Sequence, residues 1–179
     1  APAPAASEPV SADAVLLRDV ARLHPDAAAD VALLDATLVW ERRAAVRRDR
    51  ARLAADLREA VDAGGRVFLV ASGTSSHAAL TGARFFTALA GLAVFPCNPG
   101  TFRSLYLDAL GPRDVVLAIT QSGETKDLVD ILVDVAAARP SVRRVCLVNN
   151  ENSRIPQELV DYYLPLLCGP EIAVAATKS

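Results

Sequence analysis

The sequence is poor in aromatic residues and contains no methionine. Phe, Trp and Tyr together make up 5% of the 179 residues, whereas hydrophobic residues as a whole make up 52%. An apolar content rich in Ala, Val and Leu and poor in rings favours helices packed closely on an aliphatic sheet over an all-β sandwich. The scarcity of aromatic residues therefore predicts the α/β class.

The chain also lacks a net positive charge and a long apolar run. Its formal net charge is −2 and its sequence pI is about 5.7, so no overall positive field attracts nucleic acid or anionic lipid. Apolar stretches such as Val115–Ile119 are far shorter than the roughly 20 residues of a membrane-spanning helix, and the N-terminus has no basic segment followed by an apolar one. We expect a soluble cytoplasmic protein whose partners are neither nucleic acids nor membranes.

Cysteine and histidine are too few and too dispersed to indicate a metal centre. The three cysteines, Cys97, Cys146 and Cys168, cannot all pair, and each lies in or beside an apolar stretch, where free Cys behaves as a small hydrophobe. Long separations divide them from one another and from the only histidines, His24 and His77. The polar loops described below match neither the Walker pattern nor the dinucleotide pattern GxGxxG. We therefore predict no metal and no cofactor.

The first 65 residues differ in composition and in apolar pattern from the rest of the chain. The Pro/Ala-rich segment 1–10 has little to bury, and we expect it to be disordered. Residues 11–65 form a predicted helical segment, with one helix ending before Pro25 and a second ending at a pair of glycines. An apolar stripe runs along the second helix from Val39 to Val61, and its arginines alternate with acidic residues. We interpret the charged residues as a solvated face, with docking of a partner subunit as the alternative.

From Arg66 onwards, short β-rich runs alternate with helical patterns. The runs are continuously apolar, which indicates strands buried on both faces of a parallel sheet with right-handed crossovers. The predicted strands are RVFLVA, LAVFPC, DVVLAIT, RRVCLV and DYYLPLL, and helices are predicted to begin near Ser76, Thr101, Glu124 and Ser153. The predicted fold is a three-layer αβα structure with a five-stranded parallel sheet.

Two polar loops follow equivalent strands of this predicted sheet. SGTSS (residues 72–76) follows RVFLVA, QSGET (residues 121–125) follows DVVLAIT, and each leads into a helix. Ligands bind at the carboxyl ends of such strands, and the flavodoxin-like order makes the first and third strands neighbours, so both loops face one crevice. Helix N-termini offer unpaired N–H groups, hydroxyls add donors, and Gly73 and Gly123 allow close approach. The loops therefore predict a site for a phosphate monoester.

The same loops admit other interpretations. Ser, Thr and Gly are common before any helix, so these residues could serve only as caps and turns. A serine nucleophile, Ser122 or Ser75, would need a base, but we predict that His77 is a partly buried, hydrogen-bonded residue. Glu124 would repel a phosphate unless it points away and complements the helix dipole.

Three segments, ASGTSSHAAL, AITQSGETKDL and CGPEIAVAATKS, together resemble the sugar isomerase (SIS) domain family. The resemblance covers about residues 66–179. It is closest to the first SIS domain in the isomerase part of glucosamine-6-phosphate synthases (glutamine–fructose-6-phosphate aminotransferases), and related groups are fructosamine-phosphate deglycases and amino-sugar isomerases. It implies a flavodoxin-like SIS fold that binds a sugar phosphate such as fructose 6-phosphate or glucosamine 6-phosphate. The N-terminal helices would be a distinct addition to it.

The resemblance also implies which residues bind the substrate. The predicted site comprises Gly73, Thr74 and Ser75 from the first loop, Thr120, Gln121, Ser122 and Thr125 from the second, and Val174, Ala175 and Ala176 from a segment that closes over the sugar. Three positions depart from the family pattern. Ser72 stands where Cys is common, Thr120 keeps the hydroxyl of the usual Ser, and Ala176 lacks a possible donor.

No catalytic residue can be transferred to this chain. In the resembled enzymes the catalytic glutamate, lysine and histidine belong to the second SIS domain, its tail and a neighbouring subunit, and Glu171 is a carboxylate for which we favour a structural role. We therefore expect half of an enzyme for isomerisation, amino transfer or deglycation, completed by further sequence or by a partner subunit. We also expect homo-oligomerisation or pairing with a second SIS domain. The alternative is a non-catalytic sugar-phosphate sensor, because SIS domains also occur in regulators.

Overall fold

The computed structural model describes residues 46–168, which form a parallel sheet with helices on both faces. The predictions for residues 1–45, and those for Glu171, Val174, Ala175 and Ala176, lie outside the described residues.

The five predicted strands are confirmed. They are β1 (Val67–Ala71), β2 (Val94–Cys97), β3 (Val115–Thr120), β4 (Arg143–Val148) and β5 (Tyr162–Pro165). All neighbouring strands are parallel, and their order across the sheet is β2-β1-β3-β4-β5. This is the flavodoxin-like order, and it makes β1 and β3 neighbours.

Helices connect the strands, and the predicted starts are close to the observed ones. The described part of the first helix, α1, covers residues 46–62, and it is followed by α2 (Thr74–Ala90), α3 (Pro99–Leu105) and α4 (Lys126–Ala138). A 3-10 turn, Leu107–Ala109, precedes β3. The fourth predicted helix, near Ser153, is only a π-helical turn, Ile155–Leu159, because β5 begins at Tyr162 and leaves no room for a longer helix.

Alternate residues of the central strands pack into two separate cores, one on each face of the sheet. Phe68 and Val116 point to the core that α3 and α4 cover, whereas Leu69 and Leu117 point to the core under α1 and α2. The strands β1 and β3 are therefore buried on both faces, as predicted. The prediction is wrong for the edge strands β2 and β5, whose residues are mostly only half-buried because each has a single neighbour.

The helix α1 packs on the sheet through its apolar stripe. Leu57 is 1% exposed and lies in the same core as residues of β1 and β3. Asp56 fixes the other side of the contact, because it accepts a hydrogen bond from the Tyr162 hydroxyl at 2.7 Å and pairs with Arg143 at 2.9 Å. The described part of the stripe thus packs within the chain. No helix within residues 46–168 combines the length and apolarity needed to cross a membrane.

Candidate functional site

The two polar loops lie side by side at one edge of the sheet. β1 and β3 are paired in register, with Val70 opposite Ala118 and Ala71 opposite Ile119, so both strands end at the same level. The helices that follow, α2 and α4, cover opposite faces of the sheet. This is a topological switch point, where the diverging connections leave a crevice between them. The predicted adjacency of the loops is confirmed.

The first loop turns sharply at Gly73. This residue has φ 59° and ψ −135°, a conformation that disfavours any side chain. Ser76 is occupied structurally, because its hydroxyl donates to the carbonyl of Ala71 at 2.8 Å. Thr74 and Ser75 form no side-chain hydrogen bond with other residues of the 46–168 range, and no side chain caps α2. Their hydroxyls are therefore available to a ligand, and the capping interpretation does not account for them.

The side chain of Thr120, the last residue of β3, forms hydrogen bonds with the second loop, residues 121–125. This side chain is 2% exposed, and its Oγ1 accepts a hydrogen bond from the Gly123 N–H at 3.2 Å and lies 3.0 Å from Thr125 Oγ1. A hydroxyl carries one proton, and burial penalises leaving that proton unpaired. The arrangement in which Thr120 donates to Thr125 is therefore favoured, and it leaves the Thr125 proton free for a ligand.

The upper part of the second loop faces outwards. Ser122 Oγ accepts a hydrogen bond from the Glu124 N–H at 3.2 Å, which also leaves the Ser122 hydroxyl proton free. Gln121 and Ser122 are half-buried, and Thr125 is the N-cap residue of α4 without using its side chain as a cap. Gly123 has φ 67°. Free hydroxyl protons and the start of α4 thus meet at this point, which suits an anion.

A third segment, residues 150–155, braces the second loop, and sequence reasoning missed it. The Asn150 N–H donates to the Gln121 carbonyl and the Ile155 N–H donates to the Gly123 carbonyl, both at 3.1 Å. Ser153 is 4% exposed and lies directly against Gly123, where an added methyl group would overlap its hydroxyl. In the sequence, Ser153 indicated only the start of a helix. No local pattern pointed to its contact with a glycine 30 residues away.

The Glu124 carboxylate contacts the third segment. Its Oε1 accepts a hydrogen bond from the backbone N–H of Arg154 at 2.6 Å, so the carboxylate is held at the third segment. The observed acceptor role toward another loop differs from the expected role toward the dipole of its own helix.

Nucleophilic groups are not activated near the loops. The prediction that His77 is partly buried is wrong: the side chain is exposed, because it lies on the outer face of α2 while Ala79 and Ala83 occupy the inner face. Burial raises the pKa of the Cys97 thiol, at the end of β2, to about 11, and that of Cys146 to about 12. Both thiols are protonated at neutral pH and therefore poor nucleophiles.

Comparison with known proteins identifies related sequences. The family described as SIS domain matches residues 61–179. The glutamine–fructose-6-phosphate aminotransferase (isomerizing) of Bacillus anthracis is 36% identical over 124 residues, which cover 69% of this chain and 20% of the relative. The same enzyme of Lactiplantibacillus plantarum is 38% identical over 125 residues, with the same coverage of both chains. The chain thus spans about one fifth of the length of these relatives.

Solved structures share the fold. The C-terminal domain of glucosamine-fructose-6-phosphate aminotransferase from Francisella tularensis superimposes with a TM-score of 0.56 at 27% identity, covering 63% of this chain and 31% of that chain. A protein of Escherichia coli CFT073, solved in complex with A5P, gives a TM-score of 0.56 at 19% identity, covering 76% of this chain and 73% of that chain. At that lower identity the likeness concerns the fold alone.

Proposed function

Because the chain belongs to the SIS domain family, we propose that it binds the phosphate group of a sugar phosphate between its two polar loops. One observation carries this proposal. Strands β1 and β3 end at the same level, and the loops that follow them present hydroxyls that are not used for helix capping. Four of these hydroxyls belong to Thr74, Ser75, Ser122 and Thr125. Phosphate oxygens accept hydrogen bonds from hydroxyls and from backbone N–H groups at a helix start, so no lysine is required.

The proposed ligands are fructose 6-phosphate and glucosamine 6-phosphate. The relatedness to glutamine–fructose-6-phosphate aminotransferases supports this ligand class. The proposal retains the substrate-binding role of the whole predicted set, in which Thr120 contributes mainly by holding Thr125. The residues of this set are Gly73, Thr74, Ser75, Thr120, Gln121, Ser122, Thr125, Val174, Ala175 and Ala176.

Calorimetry tests the phosphate site. We expect both sugar phosphates to bind, and Ser122→Ala and Thr125→Ala each to weaken binding by about tenfold or more, because a hydrogen bond to a charged group contributes about 1.5–3 kcal/mol. Ser141→Ala is the matched control, because this exposed serine lies two residues before β4, at the opposite end of the strands. Absence of binding at millimolar ligand by the folded protein would contradict the proposal.

The proposed activity is the binding half of an enzyme that isomerises, aminates or deglycates ketose or amino-sugar phosphates, with its catalytic groups outside this chain. The chain's coverage of one fifth of its enzymatic relatives supports this division of labour. An assay of the full gene product with fructose 6-phosphate tests it. Turnover supports the enzyme, whereas binding without turnover identifies the sensor.

We also propose that the chain self-associates and that it is cytoplasmic. The outer face of α2 exposes Leu80, Phe85 and Leu89, the last at 83%, which is an apolar surface suited to a second SIS domain. Light scattering tests this part, since a strict monomer would remove it. Within residues 46–168, Cys97 and Cys146 form no disulfide, as suits a reducing compartment.

A further inference from the structure

The shape of the second polar loop depends partly on contacts from outside the loop. Gly123 lies in the left-handed region, and the loop's only internal side-chain bonds within the described residues are those of Thr120, Ser122 and Thr125. The carbonyls of Gln121 and Gly123 are instead satisfied by N–H groups of residues 150–155, which we call the bracing segment. Backbone groups of a loop that lack partners favour its rearrangement. The loop conformation therefore depends on a segment that touches no predicted ligand-binding hydroxyl.

Two side chains make the brace specific. Glu124 reaches across to the Arg154 N–H at 2.6 Å, and Ser153 fills the space under Gly123 while its hydroxyl donates to the Asn150 carbonyl at 2.5 Å. The first contact ties the loop to the bracing segment, and the second shapes the segment so that it fits the glycine. Glu124 belongs to the connection after β3 and contacts the connection after β4. Ser153 belongs to the connection after β4 and contacts the connection after β3.

From these contacts we infer that Glu124 and Ser153 are positioning residues, which set the affinity for the sugar phosphate without touching it. The inference rests on the proposed function. A carboxylate beside an anion site repels the ligand by charge alone, so electrostatics predicts tighter binding when Glu124 is removed. The brace predicts weaker binding, because the hydroxyls of Ser122 and Thr125 would no longer be preorganised. The two effects have opposite signs and can be separated.

The comparison of Glu124→Ala with Glu124→Gln separates the effect of the charge from the effect of the brace. Both substitutions remove the charge, but only glutamine keeps a side-chain oxygen that can accept the Arg154 N–H. We expect Glu124→Ala to bind fructose 6-phosphate about five- to tenfold more weakly than Glu124→Gln, the value of one lost hydrogen bond. Asp127→Asn is the charge control, because this exposed carboxylate lies in the first turn of α4 and accepts no hydrogen bond from the bracing segment within the described residues.

Hydrogen exchange provides a readout that does not require a ligand. The Arg154 amide should exchange faster in Glu124→Ala than in Glu124→Gln, because only the former lacks its acceptor. Ser153→Ala should also weaken fructose 6-phosphate binding and accelerate exchange at Ile155, while thermal unfolding verifies that the variant is folded.

The outcomes are distinguishable. If the wild-type chain binds fructose 6-phosphate and the alanine and glutamine variants of Glu124 bind it equally, the positioning role is overturned and the proposed function stands. If the wild-type chain binds neither sugar phosphate, both fail, whatever the exchange rates. Weaker binding by Glu124→Ala together with faster exchange at Arg154, with Asp127→Asn binding as tightly as the wild type or more tightly, supports the inference.

Discussion

At the scale of single residues, Gly123 shows how a loop conformation and a packing contact can demand the same residue. Its φ of 67° disfavours a side chain, and Ser153 occupies the space that a Cβ would need. Gly73 has a similar φ of 59°, but a Cβ there would meet nothing within 4 Å. A neighbouring segment therefore restricts position 123, whereas at position 73 the restriction comes from the backbone conformation.

Gly123→Ala should consequently be far more damaging than Gly73→Ala. We expect Gly73→Ala to cost about 1–3 kcal/mol of stability from the backbone conformation alone, and Gly123→Ala to cost more because Ser153 must also move. Urea unfolding of the two variants measures the difference. In a double-mutant cycle, Ser153→Ala should recover part of the cost of Gly123→Ala. Equal costs for the two glycines, or strict additivity with Ser153→Ala, would contradict the contact.

Asp114 is the second residue whose role is decided by its partners. It is 4% exposed, and it accepts hydrogen bonds from the Arg66 side chain and from the N–H groups of Arg66 and Gly111. Burial alone would raise the pKa of this carboxyl, but the hydrogen bonds and the charge of Arg66 outweigh it and hold the pKa below the ordinary 3.8. The pair lies at the amino ends of β1 and β3, opposite the candidate site.

This lowered pKa makes part of the stability depend on pH. The contribution of Asp114 is fully present above its unfolded-state pKa, near 3.8, and is lost as pH falls through its lower folded-state value. Asp114→Asn should therefore lower the free energy of unfolding at pH 7 by about 1–3 kcal/mol, and by less at pH 2.5. Urea unfolding at both pH values measures this. A cost that does not change with pH would show that the charge of Asp114 is unimportant.

At the scale of elements, α1 packs on the sheet that follows it in the sequence and contributes to the stability of that sheet. Leu57 and Ala60 lie in the core beneath α1 and α2, and Asp56 joins the helix to β4 and β5 through Arg143 and Tyr162. The matched family region nevertheless begins at residue 61, near the end of the helix. A helix that precedes most of the family region thus supplies part of its core.

Leu57→Ala tests whether α1 and the sheet unfold together. We expect a loss of about 2–5 kcal/mol in the free energy of unfolding, in a single transition, because the substitution opens a cavity in the shared core. Arg48→Ala, on the exposed side of the same helix, should change stability by less than about 0.5 kcal/mol. Loss of helical signal in a separate, earlier transition would instead indicate that α1 is an independent unit.

At the scale of the whole molecule, the strand order creates the candidate site. The chain leaves β1 on one face and β3 on the other, so the two polar loops meet where the connections diverge. The next connection, after β4, lies beside them because β4 pairs with β3. The candidate site therefore involves the connections after three neighbouring strands, β1, β3 and β4, although the sequence predicts only the first two of these connections.

The sequence by itself determined the strands, their parallel arrangement and the two polar loops, because these follow from apolar periodicity, glycine positions and residue chemistry within short segments. Only the tertiary structure decided that Ser153 and Glu124 brace the second loop, that Thr120 lies beneath it, that His77 faces solvent, and that α1 closes one core. The physical reason is distance along the chain. Local patterns fix conformation over a few residues, whereas the contacts of Gly123 with Ser153, or of Asp56 with Tyr162, exist only once the sheet has brought remote segments together.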